Sequence, residues 1–504
     1  MLDAHQIAQG IVSGRFSARE VVAACIGRIE ASHAAINALV VPRFEQALRE
    51  AELADAVRAR GDSLGPLHGV PITIKESFDV SGTPTTAGLN RRADHRAATD
   101  AVVVTRLRQS GAIVVGKTNV SQLLLHGACG NPLYGRTNNP WQLDRSPGAS
   151  SGGEAAALAV GGSALGLGSD IGGSVRLPAH ACGVNSLKPT SGRLPLEGHL
   201  SLFPNQESLM CQPGPLARCV TDLTVAMQVL AGDSPSPSRS PDSAVPQIRR
   251  IGFYTDNGVV RPSPAIRRAV TSAARALEAE GFIVEEWQPP NVDLMWHLYL
   301  ALLLAGGLAT AQQVSRGSKL TWSVRQALLA AMLPNVSFRV AGTLLRIARQ
   351  PRLAEGVNYF AQSYKQALDQ RAEFCKDFMG AMDGAQVDAI LCPVFHTPAL
   401  RHRVSMFIDG GLSYTAIYNL LGVPAGVVVA TRVREGEETE GRSGLSLKDL
   451  AARQVEVGSV GLPVGVQVVA RHAREDIVLG IMALLEKHFR GQPGALLHPP
   501  AIGH

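Results

Sequence analysis

Aromatic side chains make up only 5% of this chain and charged ones 18%, with no long run of either sign. The 48 basic residues against 42 acidic ones leave a formal charge of +6, but spots such as Arg91-Arg92 and Arg249-Arg250 are matched by acids elsewhere. A nucleic-acid surface needs a concentrated basic stripe, so no nucleic-acid partner is expected. Cysteine is sparse: seven residues, an odd number, run from Cys25 to Cys392 without paired spacing. That argues against a disulfide framework or a zinc ribbon and fits buried thiols in a reducing compartment. The most apolar window, Leu294 to Leu308, is interrupted by His297 and Gly306-Gly307. It is shorter than the roughly 20 residues that a membrane helix needs, and reads as a buried or lid helix. The first residues, with Asp3 and His5, lack the basic and apolar regions of a secretion signal, so a cytoplasmic location is the expectation.

What is present suits a large globular fold. A chain of 504 residues can bury a sizeable core as one big domain or two. An amphipathic helix pattern (Ile7, Ile11, Val21, Val22, Ile26, Ile29) opens it, and Val70 to Lys75 is a β-branched, strand-like run that ends on a lysine. A helix from Asp100 to Gln109 leads through Ser110-Gly111 into a strand at Ala112 to Val115, the alternation of an α/β fold. Strands are expected again at Arg250 to Tyr254, Phe282 to Val284, Ala389 to Pro393 and Leu462 to Gln467, with a helix from Pro264 to Glu280. Helix patterns fill Asp293 to Met382, residues 233–247 are a Ser- and Pro-rich loop, and residues 432–454 are charged enough to be an exposed excursion.

Three motifs compete for the chemistry. Gly111 to Thr118 fits the phosphate-loop pattern G-x-x-x-x-G-K-[ST], but its middle is apolar and β-branched, better as strand than as cradle. Gly148-Ala149-Ser150-Ser151-Gly152 fits the hydrolase elbow G-x-S-x-G, which needs a strand before it and an acid and histidine after it. Arg145-Ser146-Pro147 is no strand, and nothing ties the candidates Asp388 and His396 to Ser150. The third reading joins Ser150, Ser174 and Lys75. Each serine stands in a glycine frame where bare backbone can approach a substrate, and a desolvated, neutral lysine can take a serine proton. An alternative for Lys75 alone is simple pairing with Glu76 or Asp79.

The stretch Gly148 to Gly153, followed by Asp170-Ile171-Gly172-Gly173-Ser174-Val175-Arg176-Leu177-Pro178-Ala179, resembles the amidase signature family. Gly69-Val70-Pro71 with Lys75, Gly116 to Asn119, Asn131 to Gly135, Leu187 to Thr190, Gly214 to Arg218 and Gly461 to Gln467 continue the likeness in family order. The resemblance implies a twisted mixed β-sheet core covered by helices on both faces, an α/β domain spanning residues 1–504, with a helical insertion or lid at about 290–380. It implies a Ser-cisSer-Lys triad: Ser174 as nucleophile, Ser150 as bridge after a cis peptide bond, Lys75 as base. Backbone N–H groups of Ile171, Gly172, Gly173 and Ser174 would form the oxyanion hole, and Ser151, Asp170 and Arg176 would orient the loops. Ala149 stands where the family often has glycine, and Glu76 where aspartate is common. The segment Leu123 to Pro132 resembles the pocket side of fatty acid amide hydrolases, making Leu124, Leu125 and His126 candidates for the acyl side. The implied reaction is hydrolysis of a hydrophobic or aryl amide, without metal or cofactor. Esters, anilides and carbamates remain open as substrates, as do a homodimer and a glutaminase-type component of a tRNA amidotransferase.

Overall fold

The computed structural model describes residues 1–125, 127–200, 210–232, 245, 248–304, 307–330, 335–347, 351–402, 404, 409–438, 447–492 and 499. The described residues form thirteen strands: β1 Leu39–Pro42, β2 Pro71–Lys75, β3 Ile113–Thr118, β4 Gly130–Asn131, β5 Gly135–Arg136, β6 Leu165–Asp170, β7 Asn185–Lys188, β8 Gln212–Ala217, β9 Arg250–Phe253, β10 Ile283–Glu286, β11 Ala389–Pro393, β12 Ala425–Arg432 and β13 Pro463–Ala470. Eleven of them make one sheet in the order β1-β3-β2-β6-β8-β7-β12-β13-β11-β9-β10, and β4 and β5 pair separately. The centre-left pairs β3·β2 and β2·β6 are parallel, whereas β6·β8 is antiparallel, so the sheet is mixed.

Strands buried on both faces read as continuous apolar runs, and every residue of β2 and β3 is buried. The phosphate-loop lookalike therefore is strand β3, its Lys117 taken by the Pro84 carbonyl and Thr85 Oγ1. Because β2 and β6 run parallel, Lys75 and Ser169-Asp170 emerge together at their carboxyl ends, where open α/β sheets gather functional groups.

The N-terminal pattern resolves into two helices, Ala4–Val12 and Ala18–Ile36. The second starts on a capping box, in which Ser17 Oγ accepts from Glu20 N–H and the Glu20 carboxylate accepts from Ser17 N–H. Between β10 and β11 the expected helical segment is present as helices Val292–Leu304, Gly307–Ser315, Trp322–Ala330, Asn335–Ile347, Pro351–Asn358 and Tyr364–Gly384. The apolar window is a buried helix as far as Leu304, where Leu294, Met295, Trp296, Leu298, Tyr299, Ala301 and Leu302 pack on Tyr414, Ile417 and Tyr418, and residues 305–306 lie outside the described residues. Among the described residues no helix is long and apolar enough to cross a membrane, and Cys25, Cys129, Cys182, Cys219, Cys375 and Cys392 are thiols outside any disulfide.

Two expected surface segments fall partly or almost wholly outside the described residues. The loop at 233–247 lies outside the described residues except for residue 245. Of the expected excursion at 432–454, residues 439–446 also lie outside them, and its end is partly covered: helix Leu447–Glu456 exposes Leu450 but buries Ala451, Ala452 and Val455. Charge density in that stretch hid an apolar helix face.

Candidate active site

Lys75 closes β2 with no exposed surface. Its Nζ donates to Ser150 Oγ at 2.7 Å, Ser169 Oγ at 2.9 Å and the Ser169 carbonyl at 3.1 Å. Burial disfavours the charged amine and pushes it down to about 8, against the opposing pull of Cys211, Asp170, Cys129 and Glu154. The alternative of pairing with Glu76 fails, since that carboxylate accepts instead from Thr86 N, Thr86 Oγ1 and Ala87 N.

Ser150 reaches Lys75 from the turn before helix Gly152–Ala159. The turn is made at Gly148, whose φ of 103° suits glycine and where a Cβ would lie 2.7 Å from the Pro178 backbone. The Ala149–Ser150 peptide is trans, as are all peptides among the described residues. This corrects the cis bond that the resemblance implies. Here the chain reverses at Gly148 instead.

Ser151 links the two serine-bearing loops: its Oγ donates to the Ser169 carbonyl at 3.2 Å and its N–H donates to the Ser174 carbonyl at 3.3 Å. Ser174 is thereby held beside the Ser150 turn, and its surface is 8% exposed where Ser150 is 1%.

The loop after β6 is organised by Asp170. Its carboxylate accepts from Gly173 N (2.7 Å), Val175 N (3.1 Å), Arg176 Nη2 (2.9 Å) and Asn419 Nδ2 (3.0 Å). Burial alone would raise this acid, but the Arg176 guanidinium and these hydrogen bonds hold it well below the usual carboxylate range. The Gly173 N–H, expected among the oxyanion donors, is engaged by this carboxylate. The N–H groups of Gly172 and Ser174 make no hydrogen bond among the described residues.

Several groups that pattern reading missed complete the site. Tyr299 Oη, on the buried helix Val292–Leu304, donates to the Ile171 carbonyl at 3.0 Å. Thr415 Oγ1 donates to the Gly172 carbonyl at 2.8 Å. A Cβ on Gly172 would fall 2.3 Å from Tyr299 Oη, and one on Gly173 2.5 Å from Thr415 Oγ1, so both positions must be bare. His199 Nε2 lies 3.0 Å from Ser169 Oγ and 3.1 Å from Ser77 Oγ. None of these contacts leaves a local signal, because they join residues 30 to 243 positions apart.

Leu124 and Leu125 are half-buried and pack on a cluster that includes Ala87, Leu89, Ala311 and Leu328. His126 lies outside the described residues. The elbow candidates are elsewhere occupied: Asp388 accepts from Arg249 N and Arg250 N at a strand end, and His396 tilts against Phe395.

A mixed α/β sheet that brings a wholly buried lysine into contact with one glycine-framed serine, and holds a second beside it, carries the groups that acyl transfer uses. The Amidase family model matches residues 20–479, and the chain belongs to the amidase signature family, enzymes that hydrolyse amide C–N bonds. Among relatives, it is 31% identical over 503 residues to fatty acid amide hydrolase 1 of Caenorhabditis elegans, covering 96% of this chain and 88% of that one. It is 30% identical over 502 residues to a glutamyl-tRNA(Gln) amidotransferase component from Moorella thermoacetica, covering 95% and 94%. A solved fatty acid amide hydrolase superposes with a TM-score of 0.77 at 25% identity, covering 96% of this chain and 84% of that one.

Proposed function

We propose that this amidase cleaves a hydrophobic or aryl amide through a Ser174–Ser150–Lys75 relay. The observation that carries the reading is the 2.7 Å contact from Lys75 Nζ to Ser150 Oγ inside a site with no exposed lysine surface. Neutral Lys75 takes the Ser150 proton as Ser150 takes that of Ser174, and Ser174 Oγ bonds to the amide carbon. The carbonyl becomes an oxyanion facing Gly172 N–H and Ser174 N–H, donors each worth about 10²–10³ in rate. The relay then runs backwards to protonate the leaving nitrogen as the C–N bond breaks, and water cleaves the acyl-enzyme by the same route. No metal or cofactor enters this scheme.

An apolar acyl group suits the surroundings, because Ile171 at the head of the loop packs into the cluster of Trp296, Tyr299 and Leu303. The likeness to a fatty acid amide hydrolase points the same way. The likeness to an amidotransferase component favours a second reading, a glutaminase that works with partner proteins. The purified chain alone, given alkyl, aryl, peptide and carbamate substrates, separates these. Turnover of apolar amides without partners supports the first; silence until partners and glutamine are supplied overturns it. A fluorophosphonate probe is expected on the peptide containing Ser174, and an adduct on Ser150 would reject the order of the relay.

A further inference from the structure

His199 lies against the relay without belonging to it. The segment carrying it is pinned to the chain just beyond Lys75: Asp79 N donates to the Gly198 carbonyl at 2.7 Å and Leu200 N to the Ser77 carbonyl at 2.8 Å. Its ring meets Phe78 edge-on with centroids 4.7 Å apart. The imidazole is thus fixed with Nε2 toward Ser169 Oγ and Ser77 Oγ. Nδ1 has no hydrogen-bond partner among the described residues. Burial, and then the Lys75 charge, push the imidazole down to about 3, so the ring is neutral at any working pH.

Counting protons decides which ring nitrogen carries its hydrogen. An ammonium has only donors, and in that form Lys75 gives one hydrogen each to Ser150 Oγ, the Ser169 carbonyl and Ser169 Oγ. The single proton of the Ser169 hydroxyl then cannot go to Lys75. The contact it has left is His199 Nε2, which accepts this proton as the bare nitrogen, with the Ser77 hydroxyl at 3.1 Å as the competing donor. When Lys75 becomes neutral, one of its three contacts must reverse. The Ser169 carbonyl can only accept, and the Ser169 hydroxyl proton is already engaged. The lone pair therefore opens toward Ser150.

We propose that His199 is a positioning residue that holds the Ser169 hydroxyl proton on Nε2 and so reserves the Lys75 lone pair for Ser150. The inference rests on the relay proposed above and adds a direction to it. Without the imidazole acceptor, Ser169 would donate to neutral Lys75 and compete with Ser150 for the lone pair. That competing bond favours the uncharged amine, so two effects separate: turnover at the alkaline plateau falls, while the rising limb of the pH–rate profile moves to lower pH.

The test compares His199→Leu with His199→Gln, whose side-chain carbonyl can offer an acceptor at similar reach, on the full chain with an amide it turns over. For His199→Leu, kcat is expected to drop roughly tenfold, the scale of coupling within one hydrogen-bond network, with KM little changed and the limb shifted toward acid. His199→Gln is expected to restore most of kcat and the original limb. In a Ser169→Ala background no proton remains to be held, so adding His199→Leu should cost nothing more. An unshifted limb with full kcat in His199→Leu overturns the proposal, as does equal loss in both His199 variants. Should His199→Leu fail to fold, ¹⁵N shifts of the wild-type imidazole, assigned by their loss in His199→Gln, decide: a protonated Nε2 overturns the proposal and a bare one upholds it. Lys75→Ala keeps the two levels apart. Full turnover in that variant defeats the relay itself, whereas a dead Lys75→Ala beside an unaffected His199→Leu defeats only the inference about His199.

Discussion

Lys75 is surrounded by hydroxyls and a carbonyl, with no carboxylate among its hydrogen-bond partners in the described residues. That composition fixes how it titrates. A paired lysine would stay charged, but burial here outweighs the more distant acids and brings the amine down to about 8. The working form is the neutral one, so kcat/KM is expected to rise from acid through about pH 8 and level off above it. A profile flat from pH 6 to 10 would contradict a lysine base. The same chemistry predicts that Lys75→Arg is as inactive as Lys75→Ala, down by about 10²–10⁴ in kcat, because a guanidinium cannot give up its proton. Charge retention at that position should rescue nothing. Lys75, Ser150 and Ser174 could be singled out as candidates because a strand end and two glycine frames are local patterns. His199 could not, since only folding brings it to Ser169.

At the scale of elements, the buried helix Val292–Leu304 and the Ser413–Leu420 helix act on one loop. A peptide unit is planar with its C=O and N–H opposed, so pinning a carbonyl aims the next amide. Tyr299 pins the Ile171 carbonyl and thereby directs the Gly172 N–H, while Thr415 pins the Gly172 carbonyl and sends the Gly173 N–H to Asp170. Tyr299→Phe is expected to lower kcat by up to about tenfold with KM nearly unchanged, since a loosened donor matters most to the developing oxyanion. Gly172→Ala should be far worse, because its Cβ would meet Tyr299 Oη at 2.3 Å. In the Tyr299→Phe background that oxygen is gone and the next atom is the ring carbon at 3.2 Å, so the double variant should recover part of the loss. Additive losses in steady-state assays would show that the two positions do not meet. The apolar window marks this segment as a buried or lid helix, but which loop it touches depends on the crossing of chain segments 128 residues apart.

Across the whole molecule, one buried ion pair joins the site to the sheet. Asp170 ends β6, and Arg176 reaches from it to the Thr415 carbonyl, Asn419 Oδ1 and Gln467 Oε1, tying in the Ser413–Leu420 helix and β13. Both partners are wholly buried. The α/β class could be expected from alternating helix and strand patterns and the mixed sheet from the family likeness, yet the order of its eleven strands could not. Strand order is set by long-range staples such as this one. Removing one member of a buried pair leaves the other charge uncompensated, so Asp170→Asn is expected to cost about 3–5 kcal/mol of stability near neutral pH, read by denaturant unfolding. The sign of its pH dependence follows from the depressed acid. A carboxyl whose folded-state pKa lies below its unfolded value of about 3.9 contributes its stabilisation above that value and loses it as pH falls toward the folded one. The gap between wild type and Asp170→Asn should therefore be constant from pH 8 to about 5 and shrink below about 4. A gap that stays fixed into acid would mean that the aspartate is held by packing rather than by its charge, and that the loop carrying Ser174 does not depend on the Arg176 pair for its shape.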